Sequence, residues 1–385
     1  MRRIGLALLA LAIAAGAHAQ DSVLRVPGRA VAPYAFVGDS CAVVVLGDSI
    51  EEIGEGAFAG SSLTEIVIPE SVRAIGRYAF ADCRNLTKVV IGSGVESLPE
   101  AVFKGCCRLN EVVLPSTIRT IGERAFYGTA LTRLDLSGMA ALDTVADWAF
   151  AECGSLVQLY LPESLRYLGT GALMGSESLS GFNLPWKVEA VEDYLFAGDS
   201  SLDAAAVLHD NVESMGDYSL SGTKHSAEVV LPEHLNYIGT GAMERFHAMR
   251  RLDAKALYAV PQLGDSVWGE VDRSRVVLDV PDALRDDFST AGQWREFSIA
   301  TSGIEQRLAA NGLGVTLSDG NLVIVSPVAI NQVRVYDVYG LSLHNSTPRA
   351  ETTEINLASQ PRKVYLVEIA TDDGVLHKLK LSDNL

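Results

Sequence analysis

Five cysteines carry the most reactive side chains in this sequence of 385 residues. They show no Cys-x-x-Cys spacing and no histidine at metal-ligand spacing, so they predict no zinc site. Three of them, Cys83, Cys106 and Cys153, stand three residues after a recurring phenylalanine. Ser61 and Thr129 occupy the same place in other repeats, which indicates a small residue packed inside a tight turn. A disulfide between Cys83 and Cys106 stays open as an alternative.

The histidines and carboxylates form no recognisable catalytic pattern. The sequence contains no HExxH helix, no nucleophile elbow, no phosphate-binding loop and no dinucleotide fingerprint. Paired acids such as Glu51-Glu52 and Asp286-Asp287 are interpreted as solvated charges. We therefore predict that the protein is not an enzyme and needs no metal or other cofactor.

Composition restricts the possible partners. The formal net charge is −17, which argues against nucleic acid because phosphate contacts need clustered lysines and arginines. The same charge argues against attachment to an anionic lipid surface. Apolar residues make up 48% of the chain, enough for a large core.

The elements that position these side chains are repeats. One bulky apolar position, usually phenylalanine after alanine, recurs every 22 to 24 residues, a period typical of a solenoid. It is occupied by Phe36, Phe58, Phe80, Phe103, Phe126, Phe150, Leu173, Phe196, Leu220 and Met243.

Each repeat predicts one coil. Residues 63–68 alternate, which predicts a strand with Ile66 and Ile68 facing inward. Pro69 ends that strand, since proline cannot continue a ladder of hydrogen bonds. Phe80 then fills the coil interior. A single coil cannot bury its apolar face alone, so neighbouring coils must stack.

The outward-facing strand residues form the candidate contact surface. In one outward column the charges alternate in sign, which fits either mutual stabilisation or recognition. The other column begins with three valines, which suit a solvated strand or a contact stripe. We take as candidate contact residues Val67, Val90, Glu111, Val113, Arg133, Asp135, Tyr160 and Asn183.

After Met243 the pattern breaks. An open solenoid end needs an atypical capping segment. The bulky residues Trp268, Trp294 and Phe297, with a predicted short helix over 283–288, suit such a cap.

The repeat Leu-x-x-Ile-x-Ile-Pro, followed by Ile-Gly-x-x-Ala-Phe-x-x-Cys, resembles the BspA-like leucine-rich repeat family over about residues 30 to 299. The resemblance implies a secreted or cell-surface protein that adheres to host or matrix proteins, other bacteria or surface glycans. Leu173, Leu220 and Met243 depart from the phenylalanine of the pattern, and the repeat around Leu202 has slipped by one residue.

The remainder predicts a linker, residues 300–314, and a small β-domain, residues 315–385. Turn residues at 318–321 between two apolar runs predict a hairpin. Further strands are predicted over 333–338, 353–357, 363–369 and 375–381, and together they favour an immunoglobulin-like sandwich. Val335-Tyr336-Asp337, Val364-Tyr365-Leu366 and the terminal Lys378–Leu381 resemble the C-terminal sorting domain of the type IX secretion system of Bacteroidetes. That resemblance implies contact with the secretion machinery.

Residues 1–19 have the pattern of a signal peptide. Two arginines precede a short apolar run, and a small-x-small site predicts cleavage between Ala19 and Gln20. No later apolar run is long enough to cross a bilayer. Residues 20–299 are then the capped solenoid of the mature chain, which we expect to be secreted or held at the outer cell surface.

The predicted fold class is a leucine-rich repeat solenoid, rich in β-strand with short helical turns, followed by a small all-β domain. The predicted function is adhesin-like binding by the solenoid of a protein or glycan. Two alternatives stay open: a structural spacer of the cell envelope, and a hydrolase whose site is built from loops.

Overall fold

The structure is a computed structural model that describes residues 23–203, 207–223, 227–299, 313–318, 321–337, 341–357 and 364–382. Its contacts divide the chain into two compact units, which meet in sequence between Ser298 and Ile299 and are described separately here. The predicted signal peptide, with Ala19 and Gln20, and nearly all of the predicted linker lie outside the described residues.

The first unit is a solenoid in which every coil contributes strands to parallel sheets. The longer strands pair in the registers that the repeat predicts, for example Ile66 with Val89. Numbered in chain order, they are β1 (Val23–Val26), β3 (Val43–Leu46), β5 (Glu65–Ile68), β7 (Lys88–Ile91), β9 (Glu111–Val113), β11 (Arg133–Asp135), β13 (Gln158–Tyr160), β15 (Gly181–Phe182), β18 (Glu228–Val230), β20 (Arg251–Asp253), β22 (Val277–Asp279) and β23 (Ser298–Ile299). They form three sheets: β1-β3-β5-β7-β9, β11-β13-β15 and β18-β20-β22-β23.

A second set of two-residue strands lines another side of the coils. They are β2 (Ala30–Val31), β4 (Glu52–Ile53), β6 (Ala74–Ile75), β8 (Ser97–Leu98), β10 (Thr120–Ile121), β12 (Thr144–Val145), β14 (Tyr167–Leu168), β16 (Ala190–Val191), β17 (Ser214–Met215), β19 (Tyr237–Ile238) and β21 (Gln262–Leu263). In most of these strands the second residue is buried, and it continues the inward ladder of the coil.

Alternating strand residues face the core as predicted. Ile66 and Ile68 are fully or almost fully buried, whereas Glu65 and Val67 are half-buried on the outer side. From Phe36 to Phe150 the recurring phenylalanines stack, with adjacent ring centroids 5.2, 5.3, 5.6, 5.5 and 5.3 Å apart. Stacked rings in neighbouring coils bury large apolar areas and fix the coils in register.

We number the coils by the residue in the phenylalanine position, from coil 1 (Phe36) through coil 10 (Met243). The backbone N–H of each such residue bonds to the next coil; that of Phe126, for instance, donates to the carbonyl of Ala149 at 2.8 Å. Met243 donates in the same way to Val267 at 3.0 Å. Trp268 therefore occupies the phenylalanine position of an eleventh coil, and the prediction that the repeat ends at Met243 was wrong. The step of 25 residues from Met243 to Trp268 hid this coil.

The cap closes the solenoid through aromatic packing. Its elements are 3-10 helices at Arg273–Arg275, Asp282–Leu284 and Gly292–Glu296, and helix α1 at Arg285–Thr290. Trp294 packs edge-on against Trp268, with centroids 4.7 Å apart, and against Phe288, at 5.0 Å. Its indole N–H donates to the carbonyl of Pro261 at 3.3 Å. Trp294 and Phe297 thus pack at this end of the solenoid, as predicted for a cap, whereas Trp268 belongs to the eleventh coil.

The second unit is a curled antiparallel sheet of six described strands. They are β24 (Gly314–Ser318), β25 (Asn321–Asp337), β26 (Ser342–Ser346), β27 (Ala350–Asn356), β28 (Val364–Thr371) and β29 (Leu376–Ser382). Strands β24 and β25 pair up to Ser318 and Asn321, which confirms the predicted hairpin. The long strand β25 pairs first with β27 and then with β26 and β28, and its register shifts between Val325 and Gln332. These shifts let one strand serve both halves of the curled sheet, whose buried apolar side chains form one cluster.

Candidate functional site

The predicted contact residues lie on the outer face of the long strands, which we call the strand face. Val67, Val90 and Val113 are aligned across β5, β7 and β9, and Asp135 pairs in register with Tyr160 across β11 and β13. Val113 and Tyr160 are exposed, at 46% and 38%, whereas Val67 and Val90 are half-buried.

Two of these residues have structural partners. The Asn183 side chain bonds the backbone of Leu161 twice: it accepts from the N–H at 2.9 Å and donates to the carbonyl at 3.0 Å. Asn183 thereby continues the ladder by one residue where β15 ends. Glu111 forms an ion pair with Lys88 on the neighbouring strand, as expected for opposite charges across a sheet.

The strand face is interrupted in its middle. Strands β9 and β11 belong to different sheets. Glu111 and Arg133 are 22 residues apart, but Arg133 and Gln158 are 25 apart, so the coil around β11 is out of step with its neighbours. Val113 therefore lies on one sheet, and Arg133, Asp135 and Tyr160 lie on the next. The structure brings these contact residues onto one side of the solenoid but not into one continuous ladder.

The cysteines of the repeat are buried structural residues. Cys83, Cys106 and Cys153 are free thiols, each fully buried. Each donates to the carbonyl of the phenylalanine-position residue of the preceding coil, at 3.1, 3.1 and 3.2 Å. This confirms the interpretation of a small residue packed inside a turn. A hydrogen bond with Cys83 and burial raise the pKa of Cys106, and burial raises that of Cys153, so both stay protonated.

A second face, which the sequence analysis missed, carries a row of aromatic side chains. The row follows the residues two before the phenylalanine position. We call this side of each coil, from the start of the short strand to that residue, the turn face. Tyr194 stacks on Tyr218 with centroids 5.3 Å apart, and the ring of Trp148 reaches Tyr194 at 6.5 Å. Gly171 stands between these coils, and a side chain there would meet the Trp148 ring at 2.6 Å.

Acidic residues run beside this aromatic row, one position earlier in coils 2, 4, 5, 6, 8 and 9. Asp147 accepts from the Thr170 backbone N–H at 3.1 Å and from the Tyr167 hydroxyl at 3.0 Å. Asp193 accepts from the Asp217 N–H at 2.6 Å. Burial, then hydrogen bonding to Asp147 and the nearby negative charges, raises the pKa of Tyr167 to about 12. The signal in the sequence was the same period, read two and three residues before each phenylalanine.

Within the described ranges, no group of three or more histidine, cysteine, aspartate or glutamate side chains is arranged to hold a metal ion. No helix in that part of the chain has the length and apolar character needed to cross a bilayer.

Comparison with known protein families identifies the repeats. A model described as a BspA type leucine-rich repeat region matches residues 29–146 and 138–250, which together exceed half of the chain. The chain therefore belongs to the BspA-type leucine-rich repeat family. A comparison with curated proteins gave no significant match.

One solved structure supports the fold, and a second resembles this chain in sequence. A leucine-rich repeat protein from Bacteroides ovatus is 24% identical, with a TM-score of 0.55, over 69% of this chain and 65% of that protein. The match thus spans less than two thirds of that protein's length. The pneumococcal vaccine antigen PcpA is 19% identical, with a TM-score of 0.45, over 73% of this chain and 77% of that one.

Proposed function

We propose that this protein is an exported, adhesin-like binding protein whose solenoid presents the strand face to a protein or glycan. One observation carries the proposal: the residues that build the coils point inward, whereas Val113, Arg133, Asp135 and Tyr160 are exposed on rigid strands. Side chains held on a preformed surface lose little entropy on binding, which favours affinity. Membership in the BspA-type family supports the same function.

The partner classes are host or matrix proteins, other bacteria and surface glycans. Several modest contacts along one solenoid add up through avidity when the partner is repetitive. Tyrosine and arginine are enriched at the centres of protein interfaces. Tyr160, on the strand next to that of Arg133, is therefore the first residue to test, together with the exposed Val113.

The test is capture of matrix proteins, bacterial cells and glycans on arrays by the full chain. The variant Val113→Ser/Tyr160→Ser should lose most of the signal. Val230→Ser is the matched control, because Val230 is a valine of a long strand with 49% exposure that lies outside the candidate surface. A wild-type chain that captures nothing would favour the envelope spacer, and equal loss in the control would remove the assignment to Val113 and Tyr160.

For the C-terminal unit we propose the sorting role, with the curled sheet as part of an immunoglobulin-like sandwich. The strand β25, which serves both halves of that sheet, supports this fold. The strand sequences Val335-Tyr336-Asp337 and Val364-Tyr365-Leu366 support the resemblance to type IX sorting domains. Deletion of residues 313–385 should retain the solenoid in the periplasm, and unchanged surface display would contradict the proposal.

Export begins, in this proposal, with removal of residues 1–19, and the mature solenoid spans 20–299. The intact mass of the protein recovered from the cell surface tests it, because cleavage between Ala19 and Gln20 leaves Gln20 as the first residue. A mass that includes residues 1–19 would contradict this processing step, and loss of the C-terminal unit would appear in the same spectrum.

A further inference from the structure

The turn face of coils 6 to 10 combines aromatic rings with unneutralised carboxylates. It comprises five residues of each coil, from the start of the short strand to the residue two before the phenylalanine position. Among those residues there is no lysine or arginine. The acidic members are Asp147, Glu192, Asp193 and Asp217, and none of them forms an ion pair within the described part of the chain.

The same positions in coils 2 to 4 show what neutralises such a face. There, Arg77 lies between Glu55 and Glu100, with guanidinium nitrogens 3.4 and 3.5 Å from the two carboxylates. Tyr34 and Tyr78 donate their hydroxyls to these same glutamates. The chain therefore supplies its own arginine between two acids, beside two aromatic rings.

In coils 6 to 8 the two acidic positions repeat without the arginine, and the aromatic rings stand in the same coils as the acids. Asp147 and Asp193 occupy the positions of Glu55 and Glu100, and Thr170 occupies the position of Arg77. Glu192 adds a third carboxylate. Its pKa is raised first by burial and then by the negative charges of Asp193 and Asp147, so Glu192 is repelled by both aspartates. Tyr167 donates its hydroxyl to Asp147 in the same group.

We propose that coils 6 to 8 bind an arginine side chain of a basic protein segment above Thr170, between Asp147, Glu192 and Asp193. The guanidinium takes the place that Arg77 fills in coil 3. This site lies on the turn face, so the inference goes beyond the function assigned to the strand face.

The aromatic row supplies the rest of the contact. Trp148 and Tyr194 flank Thr170 in the adjacent coils, and Tyr194 is 38% exposed. Arginine suits this setting better than lysine, because a planar guanidinium both pairs with carboxylates and packs against aromatic rings. Tryptophan, tyrosine and arginine are also the residues that dominate the binding energy of protein interfaces. The charges favour a cationic partner over a neutral sugar, since only a cation relieves the repulsion among the acids.

The test uses the full chain and a short labelled peptide of alternating arginine and glycine, with binding followed by fluorescence anisotropy. A matched peptide carries citrulline, which has the shape of arginine without its charge. We expect binding of the arginine peptide that weakens as ionic strength rises, and at least about tenfold weaker binding of the citrulline peptide.

Thr170→Arg places the missing guanidinium within the chain and should weaken peptide binding at least about tenfold. Thr132→Arg is the matched control, since it adds the same charge at an exposed threonine just before β11, away from the turn face, and binding should stay within about twofold of wild type. Glu192→Gln gives a second variant that leaves the backbone contacts of Asp147 and Asp193 in place, and it should weaken binding too.

Three results would overturn the proposal. The first is equal binding of the arginine and citrulline peptides, which would indicate a neutral ligand. The second is full displacement of the peptide by millimolar calcium chloride at constant ionic strength, which would indicate a metal site. The third is an equal loss of peptide binding in Thr170→Arg and Thr132→Arg, which would show that only the net charge of the chain matters. None of these outcomes touches the strand face, so the two proposals fail separately.

Discussion

The two halves of the solenoid differ in where their aromatic rings stack. In coils 1 to 6 the stack of rings is inside and consists of six phenylalanines from Phe36 to Phe150. In coils 7 to 10 that position holds Leu173, Phe196, Leu220 and Met243. The aromatic contacts from coil 6 to coil 9 instead lie on the turn face, between Trp148, Tyr194 and Tyr218. The first half is organised for regular packing, and the second presents side chains that packing does not require.

The polar groups of the two halves also differ in how fully they are paired. In the first half, the buried thiols of the turns all find carbonyl partners, and Arg77 neutralises the acids of the turn face. In the second half, one oxygen of Asp199 and the hydroxyls of Ser219 and Thr223 are buried without a hydrogen-bond partner among the described residues. Unpaired polar groups in the interior lower stability. The second half therefore has more unpaired polar groups in its core, and its turn face carries stacked aromatic rings beside acids without an ion-pair partner.

The largest expected effect comes from breaking the phenylalanine stack. Phe126→Ala should lower the free energy of unfolding by about 3–5 kcal/mol, because it removes buried ring area and leaves a cavity between two stacked neighbours. Urea unfolding followed by circular dichroism measures this. The control Val277→Ala, at an exposed strand position, should stay within about 0.5 kcal/mol of wild type. A loss below about 1 kcal/mol for Phe126→Ala would show that the stack does not stabilise this half.

The next effect concerns the buried acid of coil 8. Burial raises the pKa of Asp199 well above its ordinary value, and nearby Glu177 adds to the shift, whereas the Ser176 N–H opposes it. Because the folded state then holds the proton more tightly than the unfolded chain, the wild type loses stability as pH rises from about 4 through the raised pKa. Asp199→Asn keeps the acceptor for Ser176 and removes the titration. The free energy of unfolding of Asp199→Asn should therefore exceed that of the wild type at alkaline pH by roughly 1–3 kcal/mol.

Thermal unfolding across pH measures this difference, with Glu177→Gln as a control for the smaller charge effect. The two curves for wild type and Asp199→Asn should converge at acid pH. Parallel curves would contradict the assignment of a protonated Asp199.

A smaller effect on stability is expected at Asn183, whose side chain takes the place of a backbone hydrogen-bonding partner for Leu161. Asn183→Ala removes both hydrogen bonds to the Leu161 backbone, and we expect a loss of about 1–2 kcal/mol. Asn183→Asp is the sharper comparison, since it keeps the acceptor and loses the donor. If Asn183→Ala reduces partner capture without any loss of stability, Asn183 is a contact residue and not a structural one.

The smallest effect on stability is expected for Arg77→Thr. The ion pairs of Arg77 are exposed and screened by solvent, so unfolding should be unchanged within error. Peptide binding should instead increase, because Glu55 and Glu100 become available to an external arginine. A variant that is strongly destabilised, or that binds no better than wild type, would break the parallel between coils 3 and 7.

The inward residues could be predicted from the sequence because each coil repeats the same burial. The phenylalanine column and the strand alternation at Ile66 and Ile68 follow from that periodicity. The eleventh coil at Trp268 was missed because its spacing and residue type both differ. Prediction of the break between β9 and β11 would require the exact lengths of two successive turns, and the average period of the repeat does not give them.

The turn face was missed for another reason. The residues two and three before each phenylalanine position vary in type from coil to coil, so only their spacing repeats. At the position two before, Tyr78, Trp148 and Tyr194 all adopt a left-handed backbone conformation, with φ of 58, 59 and 57°. Glycine adopts this conformation without strain, and bulky residues do not. The large aromatic residues at this position are therefore recognised as unusual only once their left-handed conformation is known.

The exchange Arg77→Thr/Thr170→Arg tests the account most directly. It keeps the composition and the net charge of −17 and moves one guanidinium from coil 3 to coil 7. Hydrogen exchange of the full chain, with and without the arginine–glycine peptide, reports which coils are protected. We predict that protection moves from the turns of coils 6 to 8 to those of coils 2 to 4. Protection that stays in coils 6 to 8 would contradict the account.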